Sequence, residues 1–140
     1  MFSMFRKIVE TCIYSTDLEK LKEFYVNSIG LQFISEEPGR HVFLKAGKSM
    51  LLIFNPEKTT NKNQQLFPNH GALTPPASVH FALEIKMKDY ENARNLLIQN
   101  KIEIEKELLW GNEKLKSIYF RDPSNNLVEF ITKGNWPVED

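Results

Sequence analysis

The chain has 140 residues, 41% of them hydrophobic, which is enough to bury one core or two small fused cores. Its 18 basic and 18 acidic residues balance, so no net field attracts nucleic acid or an anionic membrane. The single cysteine excludes an internal disulfide, and no apolar run reaches the roughly 20 residues of a membrane span. We therefore expect an ordinary globular, cytoplasmic protein that binds neither nucleic acid nor a membrane.

The second half of the chain repeats the order of elements in the first half. Each half predicts strand, helix, strand, strand, strand, at 6–14, 16–30, 31–36, 40–46 and 48–55, and again at 79–85, 88–101, 102–108, 115–122 and 125–132. The pattern predicts an α+β fold of two tandem βαβββ modules, whose mixed sheets are cupped around a cleft. We expect a single domain in three parts: module one at about 5–54, a linker at 55–78 and module two at about 79–133.

The linker is rich in proline and amide residues and shows neither a helical nor a strand period. A long segment of this kind inside a compact domain is often a lid or a binding loop. Phe67 and His70 are therefore candidates to reach a site. A surface loop without a role in binding is the alternative.

Capping residues delimit the two predicted helices. Thr16 or Asp17 can accept the free amides at the start of the first helix, and Gly30 suits a left-handed end. Asp89 can cap the start of the second helix, and Asn100 can replace glycine at its end. The apolar residues at helical spacing place both helices on one side of the sheets.

Strand alternation indicates which way the ionisable residues point. In the fifth strand the apolar alternate residues pack on the helices, which leaves His80 on the opposite, concave face. Glu129 alternates with Val128 and Phe130 in the last strand. Glu10 lies among apolar neighbours in the first strand. We expect all three ionisable residues to lie on semi-buried concave faces.

The internal repeat relates these residues to one another. Glu10 matches His80, 70 positions later, and Leu51 matches Glu129, 78 positions later. Each residue alone is more typical of a surface glutamate or a satisfied histidine. Together, however, three of four equivalent cleft positions can bind metal, and a divalent cation would offset the cost of burying two carboxylates. One imidazole and two carboxylates leave open positions on Fe(II), Mn(II), Ni(II) or Zn(II).

Three segments give the chain a family resemblance: residues 16–32, the HFALEI strand that begins with His80, and SIYFRDPSNNLVEF, which contains Glu129. The chain resembles the vicinal oxygen chelate superfamily, the group of glyoxalase I, bleomycin-resistance proteins and extradiol dioxygenases. The resemblance covers nearly the whole chain and implies paired modules around a metal.

The resemblance implies metal ligands on strands one, five and eight, or on strand four as well. Those positions are Glu10, His80, Glu129 and, on strand four, Leu51. The chain departs from glyoxalase I at Leu51, where those enzymes carry a carboxylate or a similar ligand. It departs at Glu10 from extradiol dioxygenases and fosfomycin thiol transferases, which carry histidine there.

Further cleft residues follow from the repeat. Phe43 matches Tyr119 and His41 matches Ser117, each 76 positions apart, so all four should lie on concave faces. Ser117 and Tyr119 are hydrogen-bond candidates, and we expect Tyr119 to act in catalysis beside Glu129.

Four residues have two interpretations or a structural role. Arg40 and His41 could hold a carboxylate or phosphate at the cleft mouth, or Arg40 could pair with Glu36 or Glu37. Trp110 could line the cleft or pack under the following turn. Asp122 is expected to stabilise its own turn. The predicted substrate-binding set is Arg40, His41, Phe43, Trp110, Ser117 and Tyr119.

Two functional hypotheses follow. The first is a metal-dependent lyase, isomerase or dioxygenase, which chelates a small oxygenated or thiol-conjugated substrate through adjacent oxygens. The second is a metal-free, bleomycin-resistance-type protein that sequesters a drug without a reaction. Because one module forms half a cup, we also expect a homodimer with sites at the subunit interface, although the sequence leaves sites within one chain open.

Overall fold

The structure, a computed structural model, describes residues 4, 7–59, 79–111 and 115–134, with only the backbone of Trp110. Eight strands and three helices lie within these residues. The elements of module one are β1 (Glu10–Tyr14), α1 (Leu18–Lys22, continued by a π-helical segment at Glu23–Ile29), β2 (Gln32–Glu37), β3 (His41–Ala46), β4 (Ser49–Phe54) and α2 (Pro56–Thr59). Those of module two are β5 (His80–Ile85), α3 (Tyr90–Gln99, preceded by a 3-10 turn at Met87–Asp89), β6 (Ile104–Trp110), β7 (Leu115–Arg121) and β8 (Leu127–Thr132).

Each module forms its own four-stranded mixed sheet with the same strand order. The orders are β1-β4-β3-β2 and β5-β8-β7-β6. The first strand of each module pairs in parallel with the last, and the other neighbours are antiparallel. The prediction of an α+β fold with two tandem βαβββ modules is confirmed.

The helix ends confirm the prediction for the first helix and correct it for the second. Asp17 caps α1 by accepting from the backbone N–H of Lys20 at 3.1 Å, and Gly30 ends the helical segment with a φ of 95°. Asp89 makes no side-chain cap. The left-handed residue after α3 is Lys101, with a φ of 58°, rather than Asn100. Asn100 instead donates its side-chain amide to the Leu96 carbonyl at 2.8 Å, which satisfies a free carbonyl of the last turn.

The two modules share one hydrophobic core between the sheets and the helices. Tyr25, in the π-helical segment, is fully buried and donates its hydroxyl to the Asp122 carboxylate of module two at 2.8 Å. The Phe24 ring lies 6.4 Å from that of Phe120. Module one therefore packs on module two through its helix.

The start of the predicted linker is helical, which corrects the expectation of an aperiodic segment. Asn55 accepts from the backbone N–H of Glu57 at 3.1 Å, and this bond starts the short helix α2. The rest of the linker lies outside the described residues, and Phe67 and His70 with it. No helix in the described part of the chain is long and apolar enough to cross a bilayer.

Candidate metal half-site and substrate cleft

Strand alternation places His80 and Glu129 on the concave face of module two, which we define as the side of its sheet opposite the core. The alternate β5 residues Phe81, Leu83 and Ile85 pack against the core, whereas His80 is exposed. In β8 the neighbours of Glu129 on the core side are buried. The predicted directions of both strands are therefore correct.

His80 and Glu129 approach each other closely. The His80 Nε2 atom lies 3.3 Å from Glu129 Oε1. The other ring nitrogen, Nδ1, lies 3.0 Å from the Leu127 carbonyl, which can only accept a hydrogen bond. Nδ1 therefore carries the proton in the neutral ring, and the Nε2 lone pair faces the carboxylate oxygen.

Two acceptors that face each other at 3.3 Å need a proton or a cation between them. The spacing also suits a metal, because two ligands that each lie ~2.1 Å from one ion and subtend about 100° are this far apart. A ligand histidine usually donates its other N–H to a carbonyl or carboxylate, as His80 does to Leu127. The residues of module two thus fit half of a metal site.

Hydrogen bonds hold the Glu129 carboxylate in place. Glu129 is only 5% exposed, and the buried Ser117 donates its hydroxyl to Oε2 at 2.6 Å. Burial and the charge and hydrogen bond of Glu129 raise the pKa of the Tyr119 hydroxyl, against a smaller opposing effect of Ser117. Tyr119 therefore remains a protonated donor beside the carboxylate. Oε1 is left facing His80.

Glu10 is the predicted ligand that the chain does not bring to this point. It begins β1 in the other sheet and is exposed. Among the described residues, no group of three histidine, cysteine, aspartate or glutamate side chains could hold a metal ion. The expectation of semi-buried positions is correct for Glu129 and wrong for Glu10 and for His80, whose side chain is 47% exposed. The reason is that one chain does not cover the first residues of β1 and β5, where Glu10 and His80 lie.

The residue that matches Glu129 in module one is Leu52, which corrects the prediction of Leu51. Glu129 pairs with Tyr119 in β7, and the equivalent Phe43 in β3 pairs with Leu52. Leu51 faces the core and is 2% exposed. The offset between the modules at this strand is therefore 77 rather than 78, and a shift of one residue in a strand changes the face.

Aromatic rings form the concave face of module one. The His41 ring stacks on Phe43 with centroids 4.1 Å apart and planes 10° apart. Phe54 contacts both rings edge-on, at 6.1 Å from His41 and 5.8 Å from Phe43. Leu52 lies on the same face of the sheet. Leu52 and Phe54 are buried, whereas His41 and Phe43 are partly exposed, and we call these four residues the aromatic floor. The predicted concave positions of His41 and Phe43 are confirmed.

Arg40 lies beside Glu37, as in one of its two interpretations. Its Nε atom is 3.9 Å from Glu37 Oε2, while Glu36 pairs with Lys22 at 3.0 Å. Arg40 also donates from Nη1 to His41 Nδ1 at 2.6 Å. Trp110 lies at the end of β6 opposite Leu115, but its side chain is outside the described part of the structure.

Asp122 is structural, as predicted from its turn. Its carboxylate accepts from the backbone N–H groups of Ser124 and Asn126, both at 2.9 Å, and from the Asn126 side chain at 2.8 Å. Burial and the charge of Asp122 raise the pKa of the Tyr25 hydroxyl. Two other features had no sequence signal: the Leu127 carbonyl that orients His80, and the contact of Ser117 with Glu129. Both depend on the register of β8 with its neighbours.

Similar solved structures share this architecture. The structure of lactoylglutathione lyase from Agrobacterium tumefaciens is 29% identical, with a TM-score of 0.88, and the match covers 97% of this chain and 100% of that one. A glyoxalase/bleomycin resistance protein/dioxygenase from Nocardioides is 20% identical, with a TM-score of 0.70 over 99% and 92% of the two chains. One from Alicyclobacillus acidocaldarius is 20% identical, with a TM-score of 0.65 over 92% of each chain.

A family model describes the sequence itself. Residues 7–130 match the model of the Glyoxalase/Bleomycin resistance protein/Dioxygenase superfamily. This match spans both sheets, the helices between them and the strand that carries Glu129. The chain therefore belongs to the Glyoxalase/Bleomycin resistance protein/Dioxygenase superfamily.

Proposed function

We propose that the protein is a metal-dependent enzyme of the glyoxalase type, with Glu10, His80 and Glu129 as the ligands of a divalent ion. The observation that carries the proposal is the approach of His80 Nε2 to Glu129 Oε1 at 3.3 Å, with the other histidine nitrogen directed at a carbonyl. Two acceptors that face each other need positive charge between them, and a divalent ion bound by both would supply it. Fe, Mn, Ni and Zn all accept this ligand set.

The third ligand comes from a second subunit in this proposal. Glu10 lies in the other sheet and does not join the pair within one chain. Glu10 and His80 are both exposed at the start of their strands, so a twofold-related copy can place its β1 over β5 and β8. The protein is then a homodimer with two identical sites, each built from Glu10 of one subunit and His80 and Glu129 of the other.

Glu129, Ser117 and Tyr119 each have a defined task in the proposed site. When bound, the ion polarises substrate oxygens and stabilises the negative charge that develops on them. Glu129 is held by Ser117, so its position is fixed before substrate binds. Tyr119 keeps its proton because its pKa is raised, and it serves as a hydrogen-bond donor beside Glu129 rather than as a base. Glu129 and Tyr119 are the catalytic residues of the proposal.

The aromatic floor defines where the substrate lies. It accepts the apolar part of a small oxygenated or thiol-conjugated compound, while the adjacent oxygens of the compound face the metal. The similarity to a structure named lactoylglutathione lyase supports a lyase acting on a thiol conjugate, ahead of an isomerase or a dioxygenase. His41, Phe43 and Trp110 complete the proposed substrate contacts, and Arg40 lies beside His41. We also propose a cytoplasmic location, in line with the single cysteine.

A second candidate is supported by the aromatic floor itself. Stacked rings such as His41 and Phe43 also suit a bleomycin-resistance-type protein, which holds a flat drug without a reaction. The two candidates differ in their need for the His80 and Glu129 pair. A sequestering protein would bind its drug equally well without metal.

Metal content and turnover test the proposal together. The purified protein is stripped with chelator, reloaded with each of the four metals, and assayed with hemithioacetals, then with catechols, and then with fosfomycin plus a thiol. We expect one tightly bound ion per subunit and turnover of a hemithioacetal that chelator abolishes. A protein that binds no divalent ion at micromolar concentration contradicts the proposal and leaves the drug-binding candidate.

A further inference from the structure

Arg40 has its guanidinium directed at a ring nitrogen of its neighbour in the chain. The distance from Arg40 Nη1 to His41 Nδ1 is 2.6 Å, within hydrogen-bond range. A guanidinium can only donate, so Nδ1 must accept and cannot carry a proton. The proton of the neutral His41 ring is then on Nε2.

The competing partner of His41 is weaker. Glu37 Oε2 lies 3.9 Å from Nδ1, beyond hydrogen-bond range, and the Glu37 side chain is 63% exposed. Burial lowers the pKa of His41, the Arg40 charge lowers it further, and Glu37 opposes both with a smaller effect. The neutral ring is thus favoured, which agrees with the geometry of the Arg40 contact.

Two further contacts fix the plane of the ring. His41 stacks on Phe43 and meets Phe54 edge-on, and its side chain is only 14% exposed. Nε2 lies on the far side of the ring from Arg40. Among the described residues, the His41 Nε2 atom has no hydrogen-bond partner. It is also not among the buried side-chain atoms that lack a partner, so it is accessible to solvent. Its N–H is therefore a donor in fixed orientation at the edge of the aromatic floor.

We propose that Arg40 is a positioning residue that holds His41 in the Nε2–H form, and that His41 donates this hydrogen to an acceptor oxygen of a flat ligand lying on the aromatic floor. Arg40 thus acts through His41 and does not bind the anion itself. The specificity is for a carbonyl or carboxylate oxygen attached to a flat apolar group. The role of this ligand as substrate rests on the function proposed above, whereas the form of the ring does not.

The form of the His41 ring is measured directly by nitrogen NMR on protein labelled in its three histidines, with signals assigned through His41→Gln. At pH 7.5 we expect His41 as a single neutral form with the proton on Nε2. In Arg40→Leu the signal should become an average of both neutral forms, and Arg40→Lys should restore part of the wild-type signal. Arg94→Leu, which removes another arginine paired with a glutamate at 3.0 Å, should change nothing. A wild-type ring that is protonated on Nδ1 overturns the proposal, even if no variant folds.

The donor role is measured with two fragments that differ in one carbonyl, acetophenone and ethylbenzene. One hydrogen bond changes affinity by about 3- to 10-fold. We expect the ratio of the two affinities to fall by that factor in His41→Phe, which keeps the stacked ring, and to fall in part in Arg40→Leu. The ratio should stay at its wild-type value in Arg94→Leu. An unchanged ratio in His41→Phe overturns the donor role.

These outcomes are independent of the metal site. If the protein binds no metal but His41 gives the expected spectrum and ratio, only the proposed enzymatic function fails. If metal and turnover are found but the ratio does not move, only the His41 proposal fails.

Discussion

The concave faces of the two modules have the same strand order and register, yet they carry different groups. In module two, Tyr119 and Glu129 form a cross-strand pair, beside which His80 and Ser117 make a polar cluster. In module one the equivalent pair is Phe43 and Leu52, and the neighbouring groups are aromatic. The repeat therefore fixes where side chains point, while the residue types give module two a polar cluster and module one an aromatic one.

In the function that we propose, neither face is sufficient by itself. Module two offers two ligands in fixed positions, and module one offers Glu10 and an apolar floor in the other sheet. The proposed site would need both faces opposite one another. The following predictions test whether the two faces have these separate tasks.

The largest expected effect is on metal content. His80→Ala and Glu129→Ala should each abolish stoichiometric metal, because each removes one of the paired ligands. Leu52→Ala, at the position in module one that matches Glu129, should leave metal content unchanged. Elemental analysis of the purified variants gives the answer. Full metal in both ligand variants would remove the site from consideration.

The second prediction concerns thermal stability. Metal at about 100 times its dissociation constant should add about 2.7 kcal/mol to the free energy of unfolding, since it binds only the folded protein. Chelator should therefore lower the Tm of metal-loaded protein. The variant with both Glu10→Gln and Glu129→Gln should show little response. A Tm that chelator does not move, in protein shown to contain metal, contradicts the coupling.

The third prediction separates Ser117 from an ordinary surface serine. Ser117→Ala removes the 2.6 Å hydrogen bond that holds Glu129, and loss of such an outer partner typically costs about 10- to 100-fold in metal affinity. Ser35→Ala, on the exposed strand β2 of module one, is the matched control and should bind metal as wild type does. Calorimetric titration measures both affinities. Equal affinities for the two variants would exclude a role for Ser117 in holding the ligand.

The smallest expected effect concerns the contact between modules. Tyr25→Phe removes the donor to Asp122 and should cost about 1 kcal/mol of stability, because Asp122 keeps its bonds within the turn. The raised pKa means that the folded state holds the Tyr25 proton after the unfolded chain has lost it. Stability should therefore be complete below pH about 10 and fall as the pH rises above that value.

A comparison of Tyr25→Phe with wild type distinguishes this effect from general alkaline unfolding. Burial and a hydrogen bond to Glu107 also raise the pKa of Tyr90. Tyr90 and Glu107 both lie in module two, so this bond does not join the modules and is present in both proteins. Urea unfolding at pH 8 and pH 11 should show a smaller loss in Tyr25→Phe than in wild type. The same loss in wild type and in Tyr25→Phe would mean that the Tyr25 contact does not titrate.

The fold could be predicted because alternation and repetition are local signals. Phe81 and His80 lie on opposite faces simply because they are adjacent in a strand. Leu52 was missed because the offset between modules depends on loop lengths, and a shift of one residue exchanges it with Leu51. In the structure Cys12, which lies two residues after Glu10 in β1, pairs with Leu52, and this pairing identifies Leu52 as the equivalent of Glu129.

The candidate site could be predicted only in part, for physical reasons. Contacts across strands, such as Ser117 with Glu129, depend on a register that the turn sets and that the sequence does not state. The exposure of Glu10 depends on what covers the concave face, which is not encoded in the period of one strand. Asn100 was expected at the left-handed end of α3, but Lys101 takes that place and Asn100 bonds backward to Leu96.

The most direct test of the central claim is to mix two defective chains. One chain carries Glu10→Ala, and the other carries His80→Ala with Glu129→Ala. A heterodimer then contains one site with Glu10 from the double variant and His80 and Glu129 from the single variant. Its other site lacks all three ligands.

We expect the two variants, dissociated and remixed, to recover one metal ion per heterodimer, while each variant alone recovers none. Recovery should require both chains and should follow the amount of heterodimer measured by native mass spectrometry. Confirmed heterodimers without any recovered metal would contradict the shared site.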